Sequence, residues 1–144
     1  MHSRAVTQLV AKSPHAIWWF LADLSNDVLW REEIVDVELV SGLQRQTSAV
    51  YRESVQWQGF HADVTLSIVE SVDSRCLVVA SEGTAYRSRS LWTFEPLGQD
   101  TLLTLAFALE TSGAFTLAEG LMTDMVVRWL ERDLPRLQGH LQSP

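Results

Sequence analysis

Two runs of alternating apolar and polar residues flank the dipeptide Gln58-Gly59, and this pattern restricts the possible fold more than any other part of the sequence. In residues 49–57 the odd positions are apolar apart from Glu53, whereas in residues 60–68 the even positions are apolar. Alternation with a period of two is typical of β-strands that have one buried face. A two-residue turn at the dipeptide brings the odd face of the first strand beside the even face of the second. The sequence therefore predicts an antiparallel hairpin with a shared buried face.

The residues before this hairpin predict a strand, two short helices and a second strand. The first strand is expected near residues 5–11, and Ser13 and Pro14 are favoured as the N-cap and first residue of a helix. At about 100° per residue, that helix places Trp18 on a buried stripe and Trp19 on the opposite, exposed side. A further helical turn is expected in VLWREE. The next strand, IVDVELV, is predicted to turn these apolar residues to one side: Val35, Val37 and Leu39.

Three more strands and a long helix are expected after the hairpin. The strands are predicted around residues 76–80, 86–95 and 101–110. Thr116 and Glu119 have the spacing of a capping box that begins an amphipathic helix. Pro135 is expected to kink or end this helix, because its ring clashes with the carbonyl group one turn earlier. The predicted order is strand, helix, about six antiparallel strands and a long helix.

The charge of the chain argues against nucleic acids and membranes as partners. Its 144 residues include 18 acidic and 11 basic side chains, for a net charge of −7, and Lys12 is the only lysine. Phosphate backbones and anionic lipids bind clustered Lys and Arg, and neither sign of charge is clustered here. No stretch approaches the ~18 apolar residues of a membrane-spanning helix. We expect no secretion signal, no integral membrane association, and one cytoplasmic domain over residues 1–144.

Three segments of the chain resemble landmark regions of a known superfamily. AKSPHAIWWFLADLSNDVLW resembles an opening with a small residue, Pro, an aliphatic-Trp pair, Leu, Asp and a later Trp. LWTFEPLGQDTLLTL resembles an aromatic strand, a Pro-Gly turn and a following strand, and LERDLPRLQGHLQ resembles a terminal helix, from which Pro135 departs. In order and spacing, these segments resemble the START-like (SRPBCC) superfamily, and within it the polyketide cyclase/dehydrase and lipid-transport-like group.

The resemblance implies an α+β helix-grip fold. In that fold a curved seven-stranded antiparallel sheet wraps around a long C-terminal helix, with two short helices between the first two strands. A hydrophobic cavity separates the sheet from the helix. The sequence contains no GxSxG, HExxH, glycine-rich phosphate loop or CxxC motif, and its four histidines are scattered. We therefore expect neither a cofactor nor a metal site.

Glu53 is the sharpest candidate for a functional residue, because the predicted hairpin places it on an apolar face. Burying a carboxylate costs free energy unless a partner is supplied, and burial raises the pKa of the group. Glu53 is therefore a candidate acid, base or ligand anchor; alternatively, the strand bulges so that Glu53 reaches water, or an arginine pairs with it. The other side chains expected to line the cavity and contact a ligand are Tyr51, Val64, Tyr86, Ser88, Ser90, Trp92, Met122 and Met125.

Three functions are compatible with such a domain. The first is the binding or carriage of a small hydrophobic or aromatic molecule in the cavity. The second is a polyketide cyclase or dehydratase reaction in which a group such as Glu53 moves protons. The third is a protein-interaction module that resembles the Hsp90-activator-like or ribosome-associated members of the superfamily. Trp19, an aromatic side chain predicted to be exposed, is a candidate for a homodimer surface.

Overall fold

The computed structural model describes residues 2–141. This part of the chain contains seven β-strands and three α-helices, joined by loops and short 3₁₀ segments. The strands are β1 (His2–Val10), β2 (Ile34–Ser41), β3 (Val50–Trp57), β4 (Phe60–Val72), β5 (Cys76–Glu82), β6 (Tyr86–Leu97) and β7 (Asp100–Thr111). The helices are α1 (Pro14–Leu21), α2 (Asp27–Trp30) and α3 (Glu119–Leu137). None of these helices is long and apolar enough to cross a lipid bilayer.

All seven strands form one antiparallel sheet in the order β1-β7-β6-β5-β4-β3-β2. The register of β3 and β4 confirms the predicted hairpin, since Trp57 lies opposite Phe60 and Glu53 lies opposite Val64. This pairing is uninterrupted along β3, so the inward side chains of both strands belong to the same face. The hairpin thereby holds Glu53 on the apolar side of the sheet.

The sheet curves around α3, which is the helix-grip arrangement that the sequence predicts. Helix α3 packs against β1 and β7, and it also contacts α2. The second half of α3 joins the hydrophobic core through the buried side chains of Leu130, Leu134 and Leu137. Met122 and Met125, in the first half, are only half-buried, because they face an unfilled space instead of packed side chains.

Helix α1 begins as its sequence predicts. The Ser13 hydroxyl accepts a hydrogen bond from the Ala16 backbone N–H, and Pro14 is the first helical residue. Trp18 is buried, and its indole N–H donates to the Ser71 hydroxyl at 3.2 Å. Trp19 points outward, with 52% of its surface exposed. Of these two adjacent tryptophans, Trp18 therefore packs in the core and Trp19 lies on the surface.

The start of α3 differs from the predicted capping box. Gly113–Ala118 form a 3₁₀ segment in which the Thr116 hydroxyl donates to the Gly113 carbonyl, and α3 begins only at Glu119. The Glu119 carboxylate accepts a hydrogen bond from the Thr111 backbone N–H at 2.7 Å. Glu119 therefore joins the helix to the end of β7. The capping-box prediction is wrong because the Thr116 hydroxyl bonds within its own 3₁₀ segment and the Glu119 carboxylate bonds to β7.

Helix α3 also continues through Pro135, where the sequence predicts a kink or an end. Proline removes one N–H from the helix, and its ring crowds the preceding turn. Pro135 is exposed, whereas Leu134 and Leu137 beside it are buried in the core, and their packing holds the last turns in helical geometry. Nearby, buried Asp133 accepts a hydrogen bond from the Glu32 backbone N–H, which ties this end of the helix to the segment before β2.

Val35 is the one residue of β2 whose predicted side is wrong. The pairing of β2 with β3 shifts register between Ile34 and Asp36. A bulge of this kind re-aims the side chains on either side of it. As a result Ile34 is buried and Val35 is exposed, while Val37 and Leu39 pack against the core as the alternation predicts.

Candidate functional site

A cavity of about 680 Å³ lies between the inner face of the sheet and α3. Its walls are mainly apolar, and they include aromatic side chains from α2, the β3–β4 hairpin, β6, β7 and α3. Three exposed side chains in the wall, Phe60, Phe115 and Leu121, mark the mouth between the hairpin tip and the start of α3. Trp57 of the hairpin and Trp129 of α3 pack together, with ring centroids 5.9 Å apart. The volume falls within the roughly 300–1,000 Å³ that is usual for small-molecule sites.

Most of the side chains predicted to line a cavity do line this one. They are Glu53, Val64, Tyr86, Ser88, Ser90, Trp92, Met122 and Met125. They meet there because alternation along β3, β4 and β6 sends their side chains inward, and because the two methionines share a face of α3.

Tyr51 is the exception, and its predicted place in the cavity wall is wrong. Its side chain is fully buried, and the hydroxyl donates to Asp23 Oδ1 at 3.4 Å. Tyr51 lies on the same face of β3 as Glu53 but two residues further from the hairpin turn, where the segment after α1 packs over it. Burial, with the charge of Asp23 nearby, raises the pKa of Tyr51 to about 12.

Glu53 projects into the cavity wall, and only 5% of its surface is exposed. Its Oε2 has no hydrogen-bond partner. Desolvation raises the pKa of the carboxyl group, although the charge of Arg31 and a hydrogen bond from Asp27 act in the opposite direction. The strand does not bulge at Glu53, so the carboxyl does not reach bulk water by that route.

A second carboxyl group, that of Asp27 at the start of α2, lines the same part of the cavity. Desolvation and the nearby charge of Glu53 raise the pKa of Asp27 to about 8. Asp27 therefore keeps its proton at neutral pH, and its carboxyl group lies beside that of Glu53. Because the two groups titrate together, they form one proton-sharing pair. The charge of Arg31 favours the ionised form of both.

Three further polar features face this cavity. The Tyr86 hydroxyl remains protonated, because burial and then the charge of Glu53 raise its pKa to about 12. The hydroxyl oxygens of Ser81 and Ser88 lie 2.5 Å apart and share a hydrogen bond. The indole N–H of Trp30 is buried in the wall without a hydrogen-bond partner. The cavity thus combines apolar walls with a small group of donors and acceptors.

Asp27, Trp30 and Arg31 are not among the residues that the sequence predicts to line the cavity, although Trp30 is the later Trp of the first landmark segment. They belong to a single turn of helix, which is too short to show the periodicity that reveals longer helices. Their spacing of i, i+3 and i+4 nevertheless puts them on one side of that turn. The sequence pattern that could have identified these three residues is a tryptophan on the same helical face as an acidic and a basic residue.

The carboxyl pair is suited to proton transfer near neutral pH. A group with a pKa of about 8, such as Asp27, exchanges its proton at little cost near neutral pH. Apolar walls exclude water and strengthen the electrostatic effect of both groups. Within residues 2–141, no cluster of three or more His, Cys, Asp or Glu side chains is arranged to hold a metal ion.

Trp19 lies on the outer surface of α1, away from the cavity. The guanidinium of Arg45 stacks on its indole ring at 3.7 Å from the centroid, and Arg45 Nε donates to the Trp19 carbonyl at 2.7 Å. One face of the ring is therefore covered within the chain, while half of the side chain stays exposed.

Solved structures with the same fold come from several bacteria. The Zhui aromatase/cyclase from Streptomyces sp. R1128 is 20% identical, with a TM-score of 0.79, over 97% of this chain and 94% of that one. A START superfamily protein from Mycobacterium smegmatis is 18% identical, with a TM-score of 0.79, over 98% and 97% of the two chains. A conserved protein from Geobacillus kaustophilus is 16% identical, with a TM-score of 0.77, over 97% and 95%.

The sequence itself gives a family assignment. No curated protein sequence matches the chain. Residues 10–136 match the family model described as polyketide cyclase / dehydrase and lipid transport, and this range contains β2 to β7, the cavity walls and nearly all of α3. The chain therefore belongs to the polyketide cyclase/dehydrase and lipid transport family of START-like proteins.

Proposed function

We propose that the protein binds a small, largely aromatic molecule in the cavity, with the polar end of the ligand at Asp27 and Glu53. The unfilled space of about 680 Å³ is the observation that carries this proposal. Apolar walls supply the free energy of burial, and a few convergent polar groups supply orientation, as in other small-molecule sites. A cytoplasmic location is part of the same proposal.

A cavity-filling variant tests this proposal. Ser90 lies on the inner face of β6, so Ser90→Phe places a ring inside the cavity. The matched control is Leu91→Phe, on the outer face of the same strand. With the neutral fluorophore N-phenyl-1-naphthylamine as probe, we expect wild type and Leu91→Phe to bind alike. Ser90→Phe should bind at least roughly tenfold more weakly, which corresponds to about 1.4 kcal/mol.

The proposal fails if the wild type does not bind the fluorophore, or if Ser90→Phe binds it as well as the wild type does. Thermal unfolding of both variants serves as the folding check. Native mass spectrometry of protein purified from its own host would then name the class of the natural ligand.

A second candidate function is an enzyme that moves protons on a polyketide-like substrate. The observation in its favour is the Asp27–Glu53 pair, in which burial raises the pKa of both carboxyl groups, that of Asp27 to about 8. Glu53 would remove a proton from a carbon between two carbonyl groups, and Asp27 would return one to oxygen. The apolar walls would fold a flexible substrate against the pair.

Deuterium exchange at the acidic methylene of a cyclic 1,3-diketone, followed by NMR, measures this step directly. The wild type should accelerate exchange, and Glu53→Gln should lose the acceleration while still binding the diketone. Equal exchange rates with and without the wild-type protein would leave carriage as the function.

The third candidate, a protein-interaction module, receives less support from this geometry. A protein-interaction module is favoured if the protein's own tryptophans fill the cavity. Instead, the cavity is unfilled, and its walls include Trp30, Trp57, Trp92 and Trp129. Self-association through the surface of Trp19 is a separate proposal, and it is compatible with either function of the cavity.

A further inference from the structure

The face of the sheet that points away from the cavity has an unusual composition over five neighbouring strands. Side chains alternate along a strand, so residues next to the cavity-lining Ser88 and Ser90 point to this outer face. The strand register aligns one row of outward residues across β1, β7, β6, β5 and β4: Ala5, Ala106, Leu91, Val78 and Glu70. Together with the row on either side, it forms what we call the outer patch, the outward side chains of residues 3–7, 104–108, 89–93, 76–80 and 67–72.

The outer patch is poor in charge. Among the described residues, only two of its side chains are charged, those of Arg89 and Glu70, and the others are Ala, Val, Leu, Ser, Thr and Cys. Exposed protein surfaces usually carry roughly 25–35% charged residues. Directly beyond the patch the outer face is charged again, since Arg87 and Glu110 form an ion pair at 3.7 Å. A charge-poor centre with a charged border is typical of a protein–protein interface.

Arg89 and Glu70 differ from the charges around them, because neither forms an ion pair within residues 2–141. Arg89 lies between two alanines, Ala80 on β5 and Ala108 on β7. Glu70 lies beside the thiol of Cys76, whose pKa is raised by burial and then by the charge of Glu70. Both charged residues line one shallow groove that crosses the patch. The patch thus presents one cation and one anion that the chain itself does not neutralise.

We infer that the outer patch is an interface between two copies of this chain, in which Arg89 of each copy pairs with Glu70 of the other. A second copy presents the same charge-poor surface, so a two-fold contact is self-complementary. β5 lies between β6 and β4, and a two-fold axis that passes over β5 exchanges the positions of Arg89 and Glu70. Each copy then supplies one cation and one anion, so every charge inside the interface has a partner.

The size and net charge of the patch are compatible with this contact. Alanine and other small side chains allow two sheets to approach to the ~10 Å that separates packed sheets. The net charge of −7 on each copy opposes association. Salt screens such repulsion beyond about 8 Å at physiological ionic strength, whereas the two cross-pairs are in direct contact. The inference does not rest on the proposed function, because the outer patch and the cavity lie on opposite faces of the sheet.

Sedimentation velocity of the wild type over a range of concentrations is the first test. Between about 1 µM and about 1 mM, we expect the weight-average mass to rise from that of one chain towards twice that value. Sedimentation as a single chain at every concentration would overturn the inference.

Reversing the two charges tests the cross-pairing. Arg89→Glu places two carboxylates together at both symmetric contacts, and Glu70→Arg places two guanidinium groups together. Each single variant should weaken the dimer at least roughly tenfold. The double variant keeps the net charge of the wild type and restores both pairs, so its dissociation constant should return to within about threefold of the wild-type value. Glu95→Arg is the matched control: it makes the same change of charge on the outer face of β6, beyond the patch, and should leave the dimer intact.

The remaining outcomes separate this surface from the others. The inference is overturned if the single reversals leave the dimer unchanged, or if the double variant does not restore it. Trp19→Ala should keep the dimer, since Trp19 lies on α1; loss of the dimer in Trp19→Ala alone would also overturn the inference. Thermal unfolding checks that each variant folds. All the variants should bind N-phenyl-1-naphthylamine as the wild type does, so this inference and the proposed function can fail independently.

Discussion

Replacing Asp27 with asparagine should stabilise the protein, and by more at higher pH. Burial and the charge of Glu53 hold the pKa of Asp27 at about 8 in the folded chain, against an ordinary value of 3.8. Between these values the unfolded state has released a proton that the folded state retains, so wild-type stability falls as pH rises. Asparagine does not ionise, has nearly the same shape and still offers an N–H donor to Glu53.

The size of the effect follows from the difference between the two pKa values. Each pKa unit corresponds to about 1.4 kcal/mol. About three units separate the ordinary value of 3.8 from pH 7, so the wild type loses up to about 4 kcal/mol of unfolding free energy over that interval. Asp27→Asn does not undergo this loss. The two proteins should therefore be about equally stable near pH 4 and differ most at pH 7 to 8.

Urea denaturation followed by tryptophan fluorescence, repeated between about pH 4 and pH 8, measures this difference. Asp36→Asn is the matched control, since Asp36 is exposed on β2 and its replacement should change stability by no more than about 0.5 kcal/mol at any of these pH values. A stability gain for Asp27→Asn that does not grow with pH would refute the buried proton-sharing pair.

Two further predictions concern the helices. Arg132→Ala should destabilise the protein by about 1–3 kcal/mol, because Asp133, which is 1% exposed, loses one of its two arginine partners and keeps Arg136. Arg4→Ala, which breaks an ion pair between exposed side chains, should cost less than about 1 kcal/mol in the same urea titrations. If two copies associate through Trp19, the variants Trp19→Ala and Arg45→Ala should both shift the sedimentation coefficient towards that of a monomer. If the wild type sediments as a monomer, self-association through Trp19 is contradicted.

The sequence predicts the hairpin and the position of Glu53 because both depend on a repeated local pattern. Alternation along two adjacent strands, with a turn between them, leaves a single register that buries both apolar faces. The same alternation does not separate Tyr51 from Glu53, since both point inward. Which of them reaches the cavity depends on where the segment after α1 packs on the sheet, and that contact joins residues distant in sequence.

The features that the sequence does not predict arise from contacts over long separations or from very short elements. Asp27 belongs to a helix of one turn, which carries no periodic signal. Val35 changes sides because of a single bulge. The capping box fails because Thr111 of β7 offers Glu119 a backbone N–H that outcompetes the local partner.

Helix α3 is held in place by polar contacts near both of its ends. Glu119 binds the backbone N–H of Thr111 at one end, and Asp133 binds that of Glu32 near the other. Between these anchors, Met122 and Met125 face the unfilled space of the cavity. Substitutions at Met122 or Met125 can therefore change the volume of the cavity while both anchors of the helix stay in place.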